Sequence, residues 1–195
     1  MKKFFLVLVT IFLLCSCSKK ETVNYTYDME YKEVDMSAYP GVPSVGHCFK
    51  EIYPSEFFKA YDAKSSGVFY LGYPDCPFCR QFVKYLNELA LQKGVTVYYM
   101  NAYNDAEPYK IGTEAYDRTL EILYDFTDED DNGEKCLWTP TVFAMINGEI
   151  KGFEIGAPYD KDGKIDWTFD NPTDTQVKHL TKIYNQILDP FKVSN

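Results

Sequence analysis

The hydrophobic residues of this chain change their spacing repeatedly, and each spacing predicts a different kind of element. A short apolar run over residues 68–71 is rich in β-forming residues and is broken at Gly72, which predicts a buried strand. The apolar positions that follow have the spacing of a helix and end at a Lys93-Gly94 stop: Phe82, Val83, Leu86, Leu89 and Ala90. Residues 95–101 are again β-branched and aromatic, so this stretch predicts a right-handed βαβ unit.

Helix caps and turn residues place the remaining elements. Short helices are predicted over residues 55–63, capped by Ser55, and over residues 113–126, capped by Thr113. Asn147-Gly148 between two apolar runs predicts a β-hairpin whose first strand is opened by Thr139-Pro140. A capping box at residues 173–176 then starts a closing amphipathic helix. The elements together predict an α/β domain.

Composition restricts the classes of function. The chain has 195 residues and a formal net charge of −9, which suits one domain with its own core. Arginine occurs only at positions 80 and 118, and no basic stripe is visible. Nucleic-acid binding depends on clustered positive charge, so the sequence predicts no nucleic-acid partner.

The N-terminus has the pattern of a targeting segment. Two lysines precede an apolar run over residues 4–14, which is short for a membrane span and typical of a secretory leader. Leu14-Cys15-Ser16-Cys17 resembles the lipobox of bacterial lipoproteins, which implies cleavage before Cys17 and a lipid on its sulfur. An ordinary leader with incidental cysteines is the alternative. The prediction is a lipoprotein signal peptide over 1–16, a polar tether over 17–45 and a domain over 46–195.

The most informative motif is Cys76-Pro77-Phe78-Cys79, which lies between the predicted buried strand and the start of the predicted helix. At a helix N-terminus the unpaired N–H groups and the helix dipole favour a thiolate, so Cys76 should be an exposed, reactive nucleophile. Cys79, one turn later, can attack a mixed disulfide formed at Cys76. Zinc binding completed by other histidine or cysteine side chains remains an alternative.

Two further groups of residues carry weaker signals. His47, Cys48 and Cys136 could complete a zinc site, and Cys48 could instead pair with Cys136 in an oxidising compartment. The order of residues over 128–133 matches the first half of a calcium loop, but Thr139 stands where the bidentate glutamate is required. We therefore interpret this stretch as a solvated acidic loop and predict no metal site.

The order of the elements resembles that of the thioredoxin-like superfamily from about Glu51 to the C-terminus. The run Tyr73-Pro74-Asp75-Cys76-Pro77-Phe78-Cys79 is most similar to bacteriocin transport accessory proteins, which are extracytoplasmic thioredoxin-like proteins. The resemblance implies a mixed β-sheet flanked by helices. It also implies that Cys76 attacks, Cys79 resolves and Pro140 is a cis-proline beside them.

The same resemblance implies how a substrate would be bound and what the chain does. Thr139 and Pro140 would contact an extended substrate segment, together with Pro77 and Phe78 between the cysteines. Tyr70 stands where thioredoxins carry a buried acid. The implied substrates are secreted proteins or peptides with thiols or disulfides, and a redox partner protein is expected.

The resulting hypothesis is a membrane-anchored, extracytoplasmic thiol–disulfide oxidoreductase that needs no cofactor beyond its own cysteines. The sequence leaves open whether it acts as a reductase, an oxidase or an isomerase. The alternative function is a non-catalytic accessory or binding lipoprotein of the same fold, with or without bound zinc.

Overall fold

A five-stranded mixed sheet forms the centre of the protein. The structure is a computed structural model that describes residues 22–156 and 172–193. The strands are, in chain order, β1 (Phe49–Glu51), β2 (Gly67–Gly72), β3 (Val97–Asn101), β4 (Thr141–Ile146) and β5 (Glu149–Ile155). They lie in the order β1-β3-β2-β4-β5, with the first three parallel and the last two antiparallel to their neighbours.

Helices cover both faces of the sheet. They are α1 (Pro54–Asp62), α2 (Pro77–Lys93), α3 (Glu114–Leu123) and α4 (Asp174–Leu188), and a short 3-10 turn follows α4. Helices α2 and α4 pack apolar side chains into one buried cluster, and α1 and α3 into the other, and the strands contribute to both. Because every strand residue of β2 and β4 is buried, these two strands read as continuous apolar runs. The predicted thioredoxin-like α/β fold is confirmed.

Most of the predicted helix ends and the predicted hairpin are present. Gly94 ends α2 in the left-handed conformation, with φ of 66°. The Thr113 and Thr173 side chains cap α3 and α4, and Thr173 forms the full capping box with Gln176. Asn147 and Gly148 join β4 to β5 with φ of 54° and 82°, as a two-residue hairpin turn requires.

The predicted cap of α1 is wrong. The helix begins at Pro54, and its N-cap residue Tyr53 makes no side-chain cap. Ser55 lies inside the first turn, where its backbone N–H and its hydroxyl both donate to the Glu107 carboxylate at 2.8 Å. The Glu107 carboxylate therefore stabilises the start of α1 in place of a Ser55 cap. It accepts a hydrogen bond from an otherwise unpaired N–H and lies at the positive end of the helix.

The predicted tether over 17–45 is corrected for its described part, residues 22–45, which we call the N-terminal strap. Four strap side chains are buried in the core: Met29, Met36, Tyr39 and Val42. The strap also forms a backbone bridge between Lys32 and Glu51, with bonds of 2.8 and 3.0 Å. It belongs to the folded domain because it covers apolar surface that the helices leave open.

The strap is fixed at both of its ends. Near its start, Asn24 and Thr26 bond to Asn147 and Ser65, which lie by the hairpin and the start of β2. Near its end, Arg80 of α2 donates to the Ala38 carbonyl at 2.9 Å. The predicted signal peptide and the predicted lipidation site Cys17 lie outside the described residues. Within residues 22–156 and 172–193, no helix combines the length and apolar character needed to cross a membrane.

Candidate active site

The two cysteines of the motif occupy the N-terminus of α2, directly after β2. Cys76 is the N-cap residue, and its sulfur accepts a hydrogen bond from the Cys79 backbone N–H at 3.2 Å. Pro77 takes the first helical position, where its missing N–H costs nothing. The turn before the helix is closed by the Cys76 N–H, which donates to the Tyr73 carbonyl at 3.2 Å. The Cys76 sulfur therefore sits where the helix favours negative charge.

The loop before β4 brings Thr139 and Pro140 against Cys76. The Thr139-Pro140 peptide bond is cis, and Pro140 is buried. The Cys76 thiol lies 3.5 Å from the Thr139 carbonyl oxygen, and the Thr139 hydroxyl lies 3.6 Å from the sulfur. Residues more than 60 positions apart in the sequence thus form one site.

The sequence predicts an exposed Cys76, but in the structure this residue is buried. Cys76 retains only 2% of its surface and Cys79 retains none. Thr139 covers one side of the Cys76 sulfur, and the start of α2 covers the other. Pro77 is exposed beside it and Phe78 is half-buried, so the surface that a partner would meet includes these two residues.

The electrostatic environment shifts the pKa values of the two thiols in opposite directions. The neighbouring Cys79 thiol and backbone N–H, together with Thr139, lower the pKa of Cys76 to about 7 against the opposing effect of burial. Burial, followed by the proximity of Cys76, raises the pKa of Cys79 far above its ordinary value. Near neutral pH, Cys76 is therefore substantially thiolate and Cys79 is a thiol. This is the division of roles that an attacking and a resolving cysteine need.

Three buried tyrosines lie beneath the cysteines, and the sequence pattern did not associate them with the site. Tyr70 from β2 stacks on Tyr99 from β3, with ring centroids 5.3 Å apart. Tyr39, supplied by the N-terminal strap, meets both rings edge-on, and its hydroxyl bonds that of Tyr99 at 2.9 Å. In the sequence Tyr70 differs from the buried acid of thioredoxins, whereas no local pattern indicates a role for Tyr39.

A second aromatic pair borders the site at the surface. Tyr73 precedes Cys76 by one turn and packs edge-on against Tyr103, with centroids 4.5 Å apart. Tyr103 is largely exposed and comes from the long connection between β3 and α3. This connection therefore contributes an aromatic side chain to the rim of the site.

The residues considered for a zinc site do not form one cluster in the described part of the chain. His47 Nε2 donates to the Val34 carbonyl at 2.9 Å, and Nδ1 accepts from the Phe49 N–H at 3.2 Å, so both ring nitrogens are occupied. Cys48 is buried at the start of β1, Cys136 is half-buried, and neither forms a disulfide in the part of the chain that the structure describes. Over the same residues no cluster of three or more histidine, cysteine or carboxylate side chains is placed to hold a metal ion.

The acidic loop closes on itself. The Asp130 carboxylate accepts from the backbone N–H groups of Asn132 and Glu134 at 2.8 and 3.0 Å. These bonds lower the pKa of Asp130. A short antiparallel bridge joins Glu129 to Lys135 at the base of the loop. The loop is a turn built on local hydrogen bonds.

Comparison with known proteins gives structural neighbours only. No protein-family model matches the chain, and no curated protein matches it. One solved structure, described as a proposed oxidoreductase with a thioredoxin fold, is 13% identical, with a TM-score of 0.38 over 58% of this chain and 86% of its own. Thioredoxin O2 from Arabidopsis thaliana in its oxidized state is 17% identical, with a TM-score of 0.39 over 72% of this chain and 94% of its own.

Proposed function

We propose that this protein is a membrane-anchored, extracytoplasmic thiol–disulfide oxidoreductase that exchanges disulfides in secreted proteins or peptides. The observation that carries the proposal is the unequal pair of thiols at the start of α2, with Cys76 activated and Cys79 shielded. A structural or metal-binding pair gains nothing from such inequality, whereas disulfide exchange depends on it.

The exchange proceeds in two balanced steps. The Cys76 thiolate attacks one sulfur of a substrate disulfide, forms a mixed disulfide and releases the other substrate sulfur as a thiolate. Cys79 then attacks the Cys76 sulfur, closes the Cys76–Cys79 disulfide and releases the second substrate sulfur, which receives the proton that Cys79 loses. The reverse sequence oxidises a dithiol substrate and returns both cysteines to thiols.

The contact between Cys76 and Thr139 suggests how a substrate is held during the exchange. In the reduced protein the Thr139 carbonyl faces the Cys76 thiol at 3.5 Å. In the mixed disulfide the Cys76 sulfur carries no proton to donate, and the Thr139 carbonyl is free to accept a backbone N–H from the attached substrate. Thr139 and Pro140 thus form one wall of the substrate site, with Pro77, Phe78 and the Tyr73–Tyr103 pair around the opening.

The test is catalysis of disulfide exchange by the purified protein. We expect the wild-type chain to accelerate either the reduction of insulin by dithiothreitol or the oxidation of a dithiol peptide in a glutathione buffer. Cys76→Ser should abolish the acceleration because it removes the nucleophile. Cys136→Ser, which changes a half-buried cysteine on a different loop, should leave it intact. No acceleration by the wild type in either direction would contradict the proposal and favour a non-catalytic accessory protein.

Membrane anchoring forms a separate part of the proposal and rests on the lipobox-like run at residues 14–17. We expect the wild-type protein to fractionate with membranes and to carry lipid on Cys17. Cys17→Ala should release the protein into the soluble fraction or block its processing, whereas Cys15→Ala should still be lipidated. Unchanged membrane retention and mobility of the Cys17→Ala protein would count against the anchor.

A further inference from the structure

The Tyr70 hydroxyl occupies a confined place directly beneath the active-site cysteines. Tyr70 is fully buried, and its ring is held between those of Tyr99 and Tyr39. The hydroxyl lies over Gly72, where a Cβ atom would come within 2.3 Å of it. Glycine at position 72 therefore leaves the space that the hydroxyl fills. The Cys79 thiol and the Tyr39 hydroxyl are polar groups that interact with this hydroxyl, and all three residues belong to the same buried cluster.

In the reduced state this hydroxyl makes no well-aligned hydrogen bond in the described part of the chain, although the Cys79 thiol and the Tyr39 hydroxyl lie close enough to interact with it. The neighbouring hydroxyls of Tyr39 and Tyr99 bond each other at 2.9 Å. Burying an unpaired hydroxyl lowers the stability of a protein, and phenylalanine would provide the same ring without that cost. The resting structure therefore gives the Tyr70 hydroxyl no well-aligned hydrogen bond that would offset the cost of its burial.

We propose that the Tyr70 hydroxyl is a catalytic group that donates a hydrogen bond to the Cys79 sulfur as that sulfur becomes a thiolate and resolves the mixed disulfide. This inference rests on the proposed function. In the step concerned, Cys79 loses its proton, the bond between the Cys76 and Cys79 sulfurs forms, and the bond from Cys76 to the substrate sulfur breaks. The departing substrate sulfur takes the electron pair of that bond and is protonated. Tyr70 keeps its own proton throughout.

The need for such a donor follows from the surroundings of Cys79. Apart from a backbone hydrogen bond at Tyr73, its sulfur is enclosed mainly by apolar and aromatic side chains, so a negative charge forming there has little stabilisation from water. A donor fixed in advance next to a developing charge is worth more than one that must reorient. Burial also raises the pKa of Tyr70, and the hydroxyl therefore remains protonated and able to donate.

An aromatic disulfide separates the two steps experimentally. With reduced protein in excess over dithiobis(nitrobenzoate), the attack of Cys76 releases one coloured nitrothiobenzoate, and resolution by Cys79 releases the second. We expect Tyr70→Phe to leave the first release unchanged and to slow the second about tenfold or more, the loss expected for a hydrogen bond to a charged group. The thermal stability of the variant should be equal to or higher than that of the wild type, because an unpaired hydroxyl is removed.

The matched control is Tyr109→Phe, which removes a buried tyrosine hydroxyl on the other face of the sheet, where it contacts Met100. It should change neither release. Equal rates of the second release in Tyr70→Phe and wild type, or equal slowing of both releases, would overturn the proposal. So would a loss of stability in Tyr70→Phe, since the hydroxyl would then have a structural partner. A wild-type protein that gives no first release would instead refute the proposed function.

Discussion

Cys79→Ser should capture substrate proteins as mixed disulfides, and Cys76→Ser should capture none. The prediction follows from the unequal environments of the two sulfurs, because Cys76 is activated at the start of α2 while Cys79 is buried and protonated. Without Cys79 the first attack still occurs, but the resolving nucleophile is missing and the covalent complex persists. Without Cys76 the remaining thiol is too shielded and too little ionised to attack.

The measurement is a non-reducing gel of extracytoplasmic fractions after acid quenching, with mass spectrometry of the bands that disappear on reduction. A chain carrying both substitutions is the control, since it retains Cys48 and Cys136 and reports any capture by these other thiols. Capture by Cys76→Ser as efficient as capture by Cys79→Ser would contradict the assignment of Cys76 as the attacking cysteine. Equal capture by all three variants would assign the reaction to thiols outside the motif.

Met36→Ala should lower the free energy of unfolding by about 2–5 kcal/mol, the range measured for truncating a large buried apolar side chain. Met36 lies in the N-terminal strap and is fully buried in the cluster that contains Cys76 and Cys79. The substitution removes apolar contacts and leaves a cavity that the surrounding side chains only partly fill. Such a loss is a large share of the total stability of a small domain.

Val45→Ala is the matched control because it removes a comparable apolar group from the same strap at a side chain that is 78% exposed. Its effect should lie within about 0.5 kcal/mol of zero. Both values are obtained from denaturant unfolding of the purified protein, with Cys76 kept reduced. Equal and small effects of the two substitutions would mean that the strap is a tether after all and does not belong to the folded domain.

Local signals in the sequence were sufficient for the strands and helices around the site. The left-handed Gly94, the Asn147-Gly148 turn and the capping box at Thr173 each depend on residues within a few positions of one another. The strand-to-helix change around Cys76 is local in the same sense. Periodicity and turn chemistry therefore specify these elements, and from their order follow the α/β fold and the location of the active-site cysteines.

Features that depend on distant partners could not be predicted in this way. The start of α1 is stabilised by Glu107, which lies 52 positions after Ser55 and whose position is set only when the β3–α3 connection folds back. The strap was predicted as a tether because it is polar and has no regular apolar period. Met36 and Tyr39 are nevertheless buried, since an irregular segment can insert single side chains into gaps between helices without any repeat in its sequence.

The site shows the same division between local and tertiary information. The sequence by itself determined that Cys76 begins a helix and that Cys79 follows one turn later, because backbone geometry at a helix N-terminus depends on adjacent residues. Only the tertiary structure decided that Thr139 covers the Cys76 sulfur and that Tyr39, Tyr70 and Tyr99 converge beneath Cys79. These contacts join the strap, two strands and a loop, so their physical cause is the packing of the sheet against α2, which no local pattern encodes.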